Sequence, residues 1–336
     1  MNSYQGKRAL VTGGLGFIGS NVALRLVQLG ARVTVVDASI QGCGANPRNL
    51  HPLAGEIEII PFDVREGKRF ASAIAASDVI FNLAGEISHS RSMSTPQRDL
   101  DLNATAQLFF LEECARSREG VRIVYACTRQ VYGAPDYLPV DENHPVHPID
   151  FNGVHKFTAS SYHLVFGRVG ALDPVVLRLS NVYGPRMALE LPWQGFLGTF
   201  FRRTLVGECI EVFGEGLQLR DPTYVDDVVD AMLLAGTVAN LRHRVFNVGG
   251  PAALSLNEIA ETLRSAADGL EIRHVPFPEQ RRKVDIGSYY ADWSRIRSEL
   301  GWTAVTSFAK GAALTLEYYR SQLDHYITGL KHGIAR

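Results

Sequence analysis

Three glycines at steps of three, Gly13, Gly16 and Gly19, stand in the run GGLGFIG between an apolar stretch and an amphipathic one. Glycine there permits a tight turn and lets the backbone approach a pyrophosphate held at a helix N-terminus. Asp37 closes the next apolar run, 18 residues beyond Gly19. A carboxylate at that place accepts hydrogen bonds from both hydroxyls of an adenosine ribose and repels a 2′-phosphate; no arginine follows to rescue one. These residues predict a site for NAD rather than NADP. Phe17 and Ile18 sit inside the same turn. Asp63 ends a third apolar run, in reach of an adenine amino group, and Val64 follows it. The same aspartate is equally suited to capping a turn. Leu83, Ala84 and Gly85 end a fourth run, where small residues let the chain pass beside the cofactor.

Positioning these groups takes strands that end where helices begin. RALVTG (8–13), ARVTVVD (31–37), EIEIIPFD (56–63), DVIFNLAG (78–85), VRIVYAC (121–127) and DPVVLRLS (173–180) read as buried strands. Helical patterns run from Asn21 to Leu29, from Pro96 to Arg116 and from about Gly153 to Val169. The alternation predicts an α/β fold, a Rossmann doubly wound parallel sheet, with ligands at the carboxyl ends of its strands. After Ser180 the pattern loosens, which predicts a smaller mixed α/β substrate-binding lobe. VDDVVDAMLLAG (225–236) and RVFNVGG (244–250) read as a helix and strand that return to the main sheet. The expected division is therefore 1–180 with 225–250 as the dinucleotide domain, and 181–224 with 251–336 as the lobe.

The 336 residues carry a formal charge of −1, which argues against a general nucleic-acid or membrane-surface binder. Cys43, Cys114, Cys127 and Cys209 have no CxxC spacing, so neither a zinc site nor a disulfide framework is predicted, and a reducing cytoplasm fits. No metal site is expected. The first residues carry no signal-peptide pattern and no apolar run reaches a membrane span.

Seven segments in order give the chain a family likeness: GGLGFIG, FNLAG, Asn103 in DLNATAQL, CTRQVYG, RLSNVYGPR, RDPTYVDD and RRKVDIGSYYADWSRIRSELGW. The chain resembles the extended short-chain dehydrogenases/reductases, in the NAD-dependent nucleotide-sugar epimerase and dehydratase branch, over nearly its whole length. The resemblance implies a catalytic Ser or Thr, a Tyr, and a Lys four residues after the Tyr on one helix face. Thr128 matches the first and Lys156 the last. The implied chemistry takes a proton from a sugar hydroxyl while the carbon gives hydride to NAD. Asn103 joins the implied cofactor set.

The tyrosine position holds Asn152, whose amide cannot ionise to accept that proton. Glu86, after strand four, is the first candidate to replace it, with His89 and His155 behind; His155 is turned about 100° from Lys156 around the helix. Sugar 4,6-dehydratases carry Asp-Glu after the Thr, where this chain has Arg129 and Gln130, so the usual dehydration is disfavoured. The resemblance further implies that Asn181, Arg220 and Arg282 grip the diphosphate of a nucleotide-sugar and that Asp285 assists. It also implies a homodimer paired through the helices near 96–116 and 153–169. An epimerase acting at sugar C4 is the leading expectation. A 4-ketoreductase or dehydratase, or an inactive binding relative, are the alternatives.

Overall fold

Seven apolar runs form one sheet. They are β1 (Arg8–Thr12), β2 (Arg32–Val36), β3 (Glu58–Ile60), β4 (Val79–Asn82), β5 (Arg122–Thr128), β6 (Asp173–Leu179) and β7 (Val245–Val248). The structure is a computed structural model and describes residues 3–191, 195–267 and 269–327. The expected lobe residues 328–336 lie outside the described residues. All seven strands pair in parallel, in the order β7-β6-β5-β4-β1-β2-β3. Strands covered on both faces need apolar residues at every position, as the wholly buried VIFN of β4 shows with one polar exception, Asn82. The order reverses direction at β1, which lies between β2 and β4. A crevice opens at such a switch point, beyond the strand ends.

The first helix, α1 (Phe17–Gln28), begins one turn earlier than its apolar spacing predicts. Its N-cap is Gly16, which offers no side-chain cap, so the first amide N–H groups point out unsatisfied by protein. The long helix expected over 96–116 is broken. It consists of α3 (Pro96–Leu100), a wide π-turn at Asp101–Thr105 and α4 (Ala106–Ser117), preceded by the short α2 (His89–Ser94). The wide turn drops Asn103 inward, fully buried; such bulges re-aim side chains at functional places. The next helix, α5 (Phe151–Arg168), is capped by Asp150, which accepts from Gly153 N at 2.6 Å.

Past β6 the chain builds a second body around Tyr183, Phe201, Ile259, Phe308 and Leu316. Its helices are α6 (Gly195–Val206), α8 (Leu256–Arg264) and α9 (Phe308–Arg320), and between α6 and α8 the chain returns to the sheet as α7 (Val225–Thr237) and β7. β7 pairs with β6 in the register Val245 with Val176. Asp227 on α7 fastens the tail: its carboxylate accepts from Thr306 N (2.9 Å) and Thr306 Oγ1 (3.1 Å), and its carbonyl accepts from Trp302 Nε1 (2.8 Å).

Candidate active site

A cleft runs over the carboxyl ends of β1, β2, β4, β5 and β6 and is closed from the other side by Phe196, Leu197 and Gly198 of α6. Its dinucleotide end is built by the glycine turn. Gly13 adopts φ +67°, and a Cβ there would stand 2.8 Å from the carbonyl oxygen of Leu83. Gly19 lies so close to Gly13 that a Cβ would overlap the carbonyl oxygen of that residue. The turn is thus pressed flat between β1 and β4, leaving the uncapped amides of α1 facing the cleft, as a pyrophosphate requires. Asp37 accepts from Leu15 N (2.9 Å) and Ser39 N (2.8 Å), one bond to each oxygen. Each oxygen keeps acceptor capacity for a ribose hydroxyl. Burial pushes the Asp37 carboxyl up, against the pull of those two amides.

Gly16, Phe17, Ile18, Asp63, Val64, Leu83, Ala84 and Gly85 also line the cleft. Asp63 does more than face it. Its carboxylate caps the following turn through Arg65 N and takes a two-pronged contact from the Arg65 side chain, at 2.9 and 2.8 Å. Burial works to raise its pKa, but the Arg65 hydrogen bonds and charge outweigh that and hold it below the ordinary value.

Thr128 ends β5, and its Oγ1 accepts from Gln130 N at 3.2 Å, which leaves the hydroxyl proton to donate elsewhere. Lys156 is buried on α5, and among the described residues its Nζ makes no hydrogen bond. Burial pulls its pKa down, against the nearby Cys127, Asp99 and Glu86. Nζ flanks Gly85 so closely that a Cβ there would lie 2.9 Å from it and 2.5 Å from Asn103 Oδ1. Asn103 does not line the cleft itself; its Oδ1 accepts from Glu86 N at 3.0 Å, and its buried Nδ2 has no partner. That orphaned donor, the bare Lys156 ammonium and the glycine cradle are the features a nicotinamide ribose and its pyrophosphate would satisfy.

Asn152 lines the cleft, but its amide nitrogen is engaged by the Glu86 carbonyl (3.1 Å) and Asp99 Oδ2 (3.0 Å). Glu86 is placed differently from the sequence expectation. Its carboxylate, 1% exposed, turns away from the cleft toward Arg91 (3.5 Å), Arg98 (3.7 Å) and Cys43 (3.6 Å). The two guanidinium groups attract the carboxylate to that side. His155 is likewise held, with Nδ1 2.8 Å from Asp99 Oδ1. Of the groups weighed against the missing tyrosine, His89 is the imidazole on the cleft wall, with Nδ1 3.3 Å from Asp150 Oδ2.

Asn181, whose Oδ1 is buried without a partner, and Arg220 also line the cleft. Arg220 donates to the Leu219 and Gly287 carbonyls and faces Asp285 Oδ1 at 3.7 Å. Arg282 is exposed on the short helix Glu279–Arg282 and, like Asp285, lies outside the cleft lining. The sequence reading passed over Arg129 as a site residue, although it lines the cleft beside Thr128. Its signal was a charge directly after a buried strand end.

Behind this wall Asp221 is 2% exposed, with Oδ2 accepting from Ala291 N (3.0 Å) and Oδ1 without a partner. Burial raises its pKa to about 6, the Ala291 amide and Arg129 pulling the other way. A carboxyl whose pKa is raised by folding stabilises the fold fully below the ordinary carboxylate range and loses that contribution as pH rises through about 6. Asp221→Asn is therefore expected to stabilise the protein by about 2–3 kcal/mol at pH 8 and by only about 0.5 kcal/mol at pH 4, read from urea midpoints at the two pH values.

The sequence model of the NAD dependent epimerase/dehydratase family matches residues 9–249. A UDP-glucose 4-epimerase of Mycolicibacterium smegmatis is 31% identical over 94% of this chain and 99% of its own. The crystal structure of a UDP-glucose 4-epimerase from Thermotoga maritima with UDP-glucose superposes with a TM-score of 0.84 at 30% identity, covering 94% of this chain and 99% of that one. The structure of MoeE5 with UDP-glucuronic acid and NAD gives 0.80 at 30% identity, with the same coverage.

Proposed function

The chain belongs to the NAD-dependent epimerase/dehydratase family, and from that premise we propose that it is an NAD-dependent nucleotide-sugar epimerase working through transient oxidation at C4. The observation that carries this reading is the meeting of Thr128 and Lys156 with the glycine turn and Asp37 in one cleft. NAD, when bound, supplies the oxidant by taking hydride from the sugar carbon and giving it back. Thr128 donates its free hydroxyl proton to the reacting oxygen. Lys156 and Asn103 hold the nicotinamide ribose, and Asn181 and Arg220 hold the sugar nucleotide's diphosphate.

His89 serves as the acid/base. With Nδ1 turned to the Asp150 carboxylate, Nε2 is left to take the proton of the sugar hydroxyl and to return it after the keto-sugar has turned its other face. The Asp150 carboxylate stands behind the ring, 3.3 Å from Nδ1. Asn152 is a positioning residue that ties α5 to the Glu86 carbonyl and Asp99. No helix among the described residues is long and apolar enough to cross a membrane. The outward faces of α4 and α5 leave Phe109 (52%), Val154 (41%) and Val165 (55%) exposed, which supports a homodimer joined there.

The test uses NAD-loaded protein and sugar nucleotides carrying deuterium at C4. The expected result is a 4-epimer that keeps its deuterium, together with transient absorbance of reduced nicotinamide. Absence of both across UDP-, dTDP-, GDP- and CDP-sugars overturns the reading and leaves a binding relative, which Asn152 would then explain.

A further inference from the structure

Arg129 is a cation the chemistry above does not use. It is 8% exposed on the cleft wall, and its NH1 donates to Gln130 Oε1 at 3.0 Å. Its Cζ lies 5.0 Å from the centre of the Tyr289 ring. Among the described residues no carboxylate forms an ion pair with it; Asp221, Asp150 and Asp285 act on it only through space. Arg220 differs, having Asp285 and two carbonyls. A buried guanidinium with one neutral amide and an aromatic face for partners is left short of hydrogen bonds that a ligand would complete.

The Gln130 amide is not free to turn. Its nitrogen donates to Asp150 Oδ2 at 3.2 Å, so its oxygen must face Arg129. The guanidinium is thereby fixed on the residue after Thr128, on the cleft wall and near enough to Arg220 for the two charges to act on each other. A planar fork with several unfilled donors matches a planar carboxylate in two-pronged contact. On a hexose that reacts at C4, the carbon that carries such a group is C6.

We propose that the substrate is a nucleotide-linked uronic acid, and that Arg129 reads its C6 carboxylate. This rests on the nucleotide-sugar reading above. The cleft then pairs each of its cationic groups with an anion or a polar ligand group: Arg220 with the diphosphate, Arg129 with the carboxylate, and Lys156 with the nicotinamide ribose.

The test is calorimetric binding of UDP-glucuronic acid, UDP-glucose and UDP to the NAD-loaded protein. The wild type is expected to bind UDP-glucuronic acid about 10–100-fold more tightly than UDP-glucose. Arg129→Gln should erase that ratio and leave UDP-glucose and UDP within about threefold of the wild type. Gln130→Glu supplies an internal carboxylate to the same guanidinium and should erase the ratio with the arginine still present. Equal wild-type affinity for the two sugars overturns the proposal and leaves the nucleotide-sugar reading standing. Equal weakening of all three ligands by Arg129→Gln also overturns it, placing the guanidinium on the diphosphate. Failure of all three ligands to bind a wild type that retains NAD overturns both readings together.

Discussion

His89→Ala is expected to lower the rate of sugar epimerisation by about 10²–10⁴-fold, the usual worth of a positioned general acid/base. The protein should still retain NAD, because the glycine turn, Asp37 and Lys156 are untouched. Single-turnover measurement of reduced nicotinamide isolates the step: it should slow by the same factor as steady-state turnover, with little change in KM. Asp150→Asn should fall between this variant and the wild type. It removes the charge behind the ring, and an amide remains to cap α5 through Gly153. Full activity in His89→Ala would move the proton transfer to another group in the cleft. Asn152→Tyr is not expected to restore the rate, since it removes the amide that binds both the Glu86 carbonyl and the buried Asp99.

Gly19→Ala should abolish NAD retention and destabilise the fold by about 1–3 kcal/mol or more. The added methyl would overlap the Gly13 carbonyl oxygen and stand 2.9 Å from the Gly13 carbon and from Gly14 Cα. All three atoms are backbone, so no side chain can swing aside. The turn must open, and the α1 amides would no longer converge on one point. Gly16→Ala is the comparison. Its Cβ would meet one backbone atom, Gly13 O, at 3.2 Å, which a shift of a few tenths of an ångström relieves. Cofactor absorbance after gel filtration and the thermal midpoint of each variant measure the two effects. A Gly19→Ala protein that keeps both would remove the close-packing account of the turn.

The sheet was readable because strands buried on both faces are mainly apolar, and β1, β4, β5 and β6 are such runs, with their polar residues at or near the strand ends. The glycine turn was readable because its function is carried by backbone, which spacing reveals. Side-chain partners across the fold were not readable. Nothing local says that Arg91 and Arg98, from successive helices, would converge on Glu86 and draw it from the cleft. Nothing local marks the π-turn at Asp101–Thr105 either, since its residues continue an ordinary helical pattern. Yet that turn sets where Asn103 meets Glu86 and Gly85. Arg129 was visible as a departure from an acidic pattern, and its meaning needed the absence of a partner, which only packing discloses.

The return of the chain through α7 and β7 makes the two bodies inseparable by a single cut. A fragment stopped at Ser180 would lose β7 and α7, leaving β6 an open edge with Val175, Val176 and Leu177, all fully buried in the whole protein, laid bare to association. Recombination with a relative meets the same condition. Transplanting the second body takes two exchanges, one between β6 and α7 and one after β7, around a retained Val225–Val248. A foreign second body enters this scaffold as a matched pair of segments, and either one alone would pack against a partner shaped for another sequence.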